Sequence, residues 1–92
     1  MGKIEKELTV VNKKGLHARP AALFVSLVEK FDVTVTLAKG PEAVNGKSIM
    51  GILMLGAAEG TILKVTVEGS QAPEAMAEFK KFFSKQEEEL VS

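Results

Sequence analysis

Strand-like and helix-like segments alternate along the whole chain, and this order restricts the fold more than any other feature of the sequence. The clearest strand is predicted at residues 61–68, where Leu63, Val65 and Val67 alternate with the side chains of the opposite face. The other predicted elements are strands at residues 4–11, 33–37 and 42–44, and helices at residues 18–30, 48–55 and from Pro73 onward. The predicted order is therefore β-α-β-β-α-β-α.

The chain has room for one domain with one core. It contains 92 residues, 46% of them apolar and 26% charged, so a single globular domain is expected over residues 1–92. Helices this numerous on a small sheet cover one of its faces and leave the other face more polar. The pattern thus predicts an α+β fold built as a two-layer sandwich.

Charge and composition exclude several functional classes. Twelve basic side chains balance twelve acidic ones, whereas nucleic-acid binders usually carry a basic excess, so no direct binding of nucleic acid is expected. The absence of Cys and the single His argue against a metal site, and no cofactor site is predicted. The apolar stretch 49–58 is too short to span a bilayer and no signal peptide precedes the first charges, so we expect a cytoplasmic protein without membrane insertion.

The segment Gly15–Pro20 lies between the first predicted strand and the first predicted helix. The backbone N–H groups of Ala18 and Arg19, at the helix start, lack partners within the helix and face the end of the dipole that favours anions. The Arg19 guanidinium can add a planar charged fork, and the imidazole of His17 offers a nucleophilic nitrogen near neutral pH. This arrangement favours phosphate chemistry at His17, and the competing interpretation is a capping or surface His beside a solvated Arg.

The predicted helix at residues 48–55 has almost no polar face. A helix that is apolar all round is either buried or binds another molecule. We assign Ile52 and Leu55 to the core, and Ile49, Met50 and Leu53 to an exposed patch that docks partners, because Met makes adaptable contacts. A wholly buried helix is the alternative.

Two separate motifs resemble those of one family. Gly15-Leu16-His17-Ala18-Arg19-Pro20 resembles the active-site signature of the HPr family, the histidine-containing phosphocarriers of the bacterial phosphoenolpyruvate-dependent sugar phosphotransferase system. Residues 44–56, VNGKSIMGILMLG, are similar to the regulatory-serine segment of those HPr proteins that serve HPr kinase/phosphorylase. The resemblance covers essentially the whole chain. It implies a four-stranded antiparallel sheet with three helices on one face.

The resemblance also implies a function. His17 would accept a phosphoryl group on its δ nitrogen from phosphorylated enzyme I and pass it to enzyme II A-type domains, with Arg19 assisting the phosphate. Ser48 would be phosphorylated by HPr kinase/phosphorylase, which could create a binding face for a catabolite-control transcription regulator; its residue type alone predicts only a helix cap. The protein would be a monomeric carrier and not an enzyme.

Two other functions remain open from the sequence. One is a regulatory phosphocarrier of a nitrogen-type or incomplete phosphotransferase system that is not coupled to sugar transport. The other is a plain interaction domain in which His17 is structural. Departures from the usual family pattern affect the partner surface most: Ser26 and Glu29 stand where Lys is common, and Leu23 and Leu27 stand where polar residues are common. Lys14 stands where a small polar residue is frequent.

Overall fold

A computed structural model describes the backbone of residues 2–91 and the side chains of residues 2–84. The strands are β1 (Gly2–Thr9), β2 (Thr34–Lys39), β3 (Glu42–Asn45) and β4 (Ile62–Gly69), and the helices are α1 (Ala18–Val28), α2 (Ile49–Met54) and α3 (Ala72–Val91). The predicted order is confirmed. Helix α1 ends earlier than predicted, because the N–H groups of Lys30 and Phe31 donate to carbonyls three residues back, at 3.1 Å, and tighten the turn.

The four strands form one antiparallel sheet in the order β1-β4-β2-β3. Alternate residues of the two central strands are fully buried beneath the helices, namely Val35, Leu37, Leu63, Val65 and Val67. The opposite face is open, and opposite charges face each other there across β1 and β4, as Lys3 with Glu68 and Glu7 with Lys64. The open-faced two-layer sandwich is therefore confirmed.

Aromatic side chains hold the helical layer together. Phe24 of α1 lies with its ring centroid 5.0 Å from that of Phe79, 5.6 Å from that of Phe82 and 5.8 Å from that of Phe83, all on α3. Tilted and edge-on rings at these separations stabilise the contact beyond the burial of their area. These core contacts fix the position of α1, and with it the position of the residues that directly precede the helix. Within residues 2–91, none of the helices combines the length and the apolar character needed to cross a membrane.

Helix α2 is anchored at its C-terminal end by a side chain from the sheet. The Nζ atom of Lys39, on β2, donates to the carbonyl oxygens of Leu55 at 3.0 Å and Gly56 at 3.3 Å. Carbonyl groups at a helix C-terminus lack partners within the helix, and a cation there also interacts favourably with the negative end of the helix dipole. Because α2 has only six residues, its position depends on such contacts at its ends.

Replacing Lys39 by Met should destabilise the protein. The variant keeps the aliphatic chain and removes the ammonium group, so the two carbonyl oxygens lose their donor, at a cost of about 1 kcal/mol in the free energy of unfolding. Urea denaturation measures this quantity. Lys80→Met, at an exposed position on α3, is the matched control and should change it by less than about 0.5 kcal/mol. Equal losses in the two variants would contradict the anchoring role.

Candidate functional site

The loop between β1 and α1 is held by a buried asparagine. Asn12 is 5% exposed; its Oδ1 atom accepts from the backbone N–H of Lys14 at 2.9 Å, and its carbonyl oxygen accepts from the N–H of Gly15 at 2.9 Å. Asn commonly bonds to the backbone two residues on and so stabilises turns. The sequence indicated only that residues 12–15 end the first strand. The turn preference of Asn was the signal that could have identified this hydrogen bond.

Gly15 and Leu16 connect the loop to the segment that follows α2. Leu16 is buried, and its N–H donates to the carbonyl oxygen of Ala57 at 2.8 Å. Gly15 has a φ angle of +75°, and a Cβ atom on it would lie 2.5 Å from the same Ala57 oxygen. Only glycine fits this left-handed conformation and close backbone approach without strain. The backbone of the loop therefore has little conformational freedom directly before His17.

Gly15→Ala tests this constraint. Strained backbone and the clash with Ala57 together should lower the free energy of unfolding by about 2–4 kcal/mol. The control is Gly40→Ala: Gly40 also has a positive φ angle, +57°, but a Cβ atom there would meet nothing within 4 Å. The control should lose only about 1–2 kcal/mol, the cost of the left-handed backbone alone. Thermal or urea unfolding of both variants gives the comparison, and similar losses would show that the close approach at Gly15 is unimportant.

His17 is the N-cap residue of α1, with φ −91° and ψ −166°. Its backbone N–H donates to the oxygen of Gly15 and its carbonyl oxygen accepts from the N–H of Ala21, both at 3.0 Å. Within the described part of the chain, its side chain makes no capping hydrogen bond. The half-buried imidazole is thus positioned by its own backbone and is not used to stabilise the helix.

Ala18 and Arg19 follow His17 in the chain and begin the first turn of α1. Ala18 and Arg19 are exposed, and no acceptor for their backbone N–H groups is found among the described residues. Pro20 contributes no N–H, and its buried ring secures the turn. The Arg19 side chain likewise has no ion-pair partner among the described side chains. His17 thus directly precedes two backbone N–H groups at a helix start, an arrangement that suits a bound anion. The roles of His17 and of the Arg19 guanidinium in phosphate chemistry stay predictions.

Ser48 begins the second helix of this region. Its Oγ atom accepts from the N–H of Gly51 at 2.9 Å, and its carbonyl oxygen accepts from the N–H of Ile52 at 3.0 Å. The predicted N-cap at Ser48 is confirmed. Gly51 is closely packed: a Cβ atom on it would lie 3.1 Å from both Ser48 Oγ and Val44 Cβ, so these neighbours would have to shift slightly to accept a side chain.

Helix α2 packs against α1 with one face and exposes the other. Ile52 and Leu55 are buried, as predicted, and Ile49 and Met50 are exposed, so the alternative of a wholly buried helix is wrong. The predicted exposure of Leu53 needs correction: this side chain is half-buried and packs against the core. Met54, which sequence reasoning left unassigned, is exposed instead. Ile49, Met50 and Met54 form the surface that we name the α2 patch.

The chain resembles characterised proteins over most of its length. Residues 4–85 match a family model described as "PTS HPr component phosphorylation site". A phosphocarrier protein HPr from Xylella fastidiosa is 42% identical over 80 residues, covering 87% of this chain and 90% of the relative, and one from Pseudomonas aeruginosa is 46% identical over 71 residues, covering 76% and 79%. Among solved structures, the phosphocarrier protein HPr from Bacillus anthracis superposes with a TM-score of 0.84 at 38% identity, covering 90% of this chain and 99% of that one.

Proposed function

The chain belongs to the HPr family of phosphocarrier proteins, and on that premise we propose that His17 receives a phosphoryl group from phosphorylated enzyme I and passes it to enzyme II A-type domains. The phosphoryl group originates in phosphoenolpyruvate, and its transfer serves sugar uptake. The observation that supports this most directly is the His17 imidazole, which lies at the N-cap of α1 without a capping hydrogen bond from its side chain in the described structure. The protein acts as a monomer in the cytoplasm, where both partners meet it.

The transfer is a displacement at phosphorus. The δ nitrogen of His17 attacks phosphorus, the bond from phosphorus to the donor's histidine breaks, and a new P–N bond forms at His17. The backbone N–H groups of Ala18 and Arg19 and the Arg19 guanidinium face the negative oxygens, so their charge is stabilised as it moves. The phosphoryl group then leaves by the same chemistry to the acceptor, and the protein returns to its initial state. It is a carrier within a chain of transfers.

The test is incubation with enzyme I and labelled phosphoenolpyruvate, followed by mass spectrometry of the product. One phosphoryl group at His17 is expected, and the modification should be lost in acid and stable in alkali, as a P–N bond is. Omitting enzyme I is the control and should give no labelling. A label on another residue, or an acid-stable label, would contradict the proposal.

Arg19→Ala should slow the transfer while leaving the fold intact. Arg19 is exposed, so its loss costs little packing, but the phosphoryl oxygens lose a charge-assisted donor worth about 1.5–3 kcal/mol, or roughly 10- to 100-fold in rate. The rate is measured by quenching the reaction with phosphorylated enzyme I at a series of times and determining the fraction of protein phosphorylated. Arg19→Lys retains the charge without the planar fork, so its transfer rate should lie between those of Arg19→Ala and the natural sequence. An unchanged rate in Arg19→Ala would remove Arg19 from the site.

A regulatory role for Ser48 extends the proposal. Its hydroxyl lies at the start of α2, beside the exposed apolar side chains of Ile49 and Met50, which offer HPr kinase/phosphorylase a surface to hold. Phosphorylation there changes the charge of the α2 patch without requiring a new fold, because the helix dipole favours a negative group at this end. The phosphorylated face would suit a catabolite-control transcription regulator with a basic pocket.

A further inference from the structure

The methionines of the protein fall into two environments. Met50 and Met54 are 67% and 77% exposed, whereas Met76, on the buried face of α3, is 3% exposed. Met1 lies outside the residues that the structure describes. Both exposed side chains belong to the α2 patch. A thioether differs from other apolar groups because its sulfur can be oxidised.

The two exposed methionines lie on one face of α2. They are four residues apart on α2 and therefore lie one above the other on the same face of the helix. Ser48 caps this helix, and α1, which His17 precedes, packs against it. Any partner that covers this face during transfer at His17 must remove both sulfur atoms from water.

We propose that Met50 and Met54 are oxidation sites for hydroperoxides, and that their conversion to sulfoxides weakens the docking of enzyme I on the α2 patch. In each reaction a sulfur lone pair attacks the terminal oxygen of the hydroperoxide, the O–O bond breaks and an S–O bond forms. The proton of that terminal oxygen goes to the leaving oxygen, which departs as an alcohol or as water. Sulfur is oxidised by one electron pair and the peroxide is reduced by the same pair.

The effect on docking follows from the change in polarity. A thioether makes adaptable apolar contacts, while a sulfoxide is a polar acceptor that must give up its water when an apolar partner surface covers it. The modified groups are exposed, so the fold loses nothing, and His17 itself is unaltered. This inference rests on the proposed phosphocarrier function. It predicts a higher KM for this protein as substrate of enzyme I, by about tenfold, with kcat little changed.

The experiment treats the intact protein with hydrogen peroxide, locates the added oxygen by peptide mapping, and measures phosphorylation of His17 by enzyme I. Oxygen should appear at Met50 and Met54 well before Met76, and mapping separates any oxidation of Met1. The KM should rise in step with oxidation at residues 50 and 54, while the thermal unfolding midpoint stays constant. Treatment with methionine sulfoxide reductases should restore the original KM.

Two variants identify the responsible residues. Met50→Leu/Met54→Leu is compared only with its own untreated sample, and peroxide should leave its KM unaltered. Met76→Leu should remain as sensitive as the natural sequence. If oxidised protein keeps its KM, or if the double leucine variant is equally sensitive, this inference is wrong. Failure of the untreated protein to be phosphorylated at His17 would instead overturn the phosphocarrier function and this consequence with it.

Discussion

His17→Ala is expected to abolish phosphoenolpyruvate-dependent labelling by enzyme I. The sequence contains a single His and no Cys, so the substitution removes the only imidazole and leaves no thiol to take over as nucleophile. Labelling should fall to the level seen without enzyme I. The measurement is the amount of acid-labile phosphate bound to the protein after incubation with enzyme I and labelled phosphoenolpyruvate.

The control for this variant is its stability. Because the His17 side chain makes no capping hydrogen bond in the described structure, Ala should change the free energy of unfolding by less than about 1 kcal/mol. Lys13→Ala, at an exposed position in the same loop, should retain labelling. Labelling that persists without His17 in a folded protein would place the phosphoryl group elsewhere and overturn the assignment.

Phosphorylation of Ser48 is expected to lower the rate of His17 phosphorylation by about 10- to 100-fold, which corresponds to roughly 1–3 kcal/mol. A phosphate adds a charge of about −1.5 to −2 beside the α2 patch. On the proposed function, enzyme I would bring its own negative phosphoryl group to this region. The two groups would then repel each other, and the new charge would lose water when the apolar surface is covered. The measurement compares transfer from enzyme I for protein treated and untreated with HPr kinase and ATP.

Variants of Ser48 separate charge from helix capping. Ser48→Ala removes both the phosphorylation site and the acceptor for the Gly51 N–H, so it should lose about 1 kcal/mol of stability and become insensitive to the kinase. Ser48→Asp keeps an acceptor and carries about half the charge, so its inhibition should be partial. Equal transfer rates with Ser48 fully phosphorylated would refute the inhibitory role, and no modification by the kinase would leave Ser48 as a helix cap only.

Local features of the sequence were sufficient for the order of the elements and for the starts of α1 and α2. His17 and Ser48 begin their helices because the groups involved lie within four residues of each other: the His17 oxygen meets the N–H of Ala21, and Ser48 Oγ meets that of Gly51. The buried face of β4 was equally predictable, since alternation reports which side of a strand is apolar. The regulatory role proposed for Ser48 came from the family resemblance, whereas the helix start by itself already favoured phosphate chemistry at His17.

The exposure of individual side chains on α2 was predicted less well. All of its large residues are apolar, so periodicity could not distinguish the face toward the core from the face toward solvent. Leu53 was expected to be exposed and is half-buried, while Met54 is 77% exposed. The angle at which α2 meets α1 and the sheet determines this difference, and a six-residue segment contains no information about that angle.

The sequence by itself determined the β-α-β-β-α-β-α order, the single core and the placement of His17 at a helix start, because each depends on neighbouring residues or on an apolar pattern within one element. Only the tertiary structure decided what holds that site in position. Lys39 bonds to Leu55 from 16 residues away, and the loop before His17 is fixed by contact of Gly15 and Leu16 with Ala57. A lysine or a glycine is compatible with many surroundings, and its partner is defined only when packing of the core brings distant segments of the chain together.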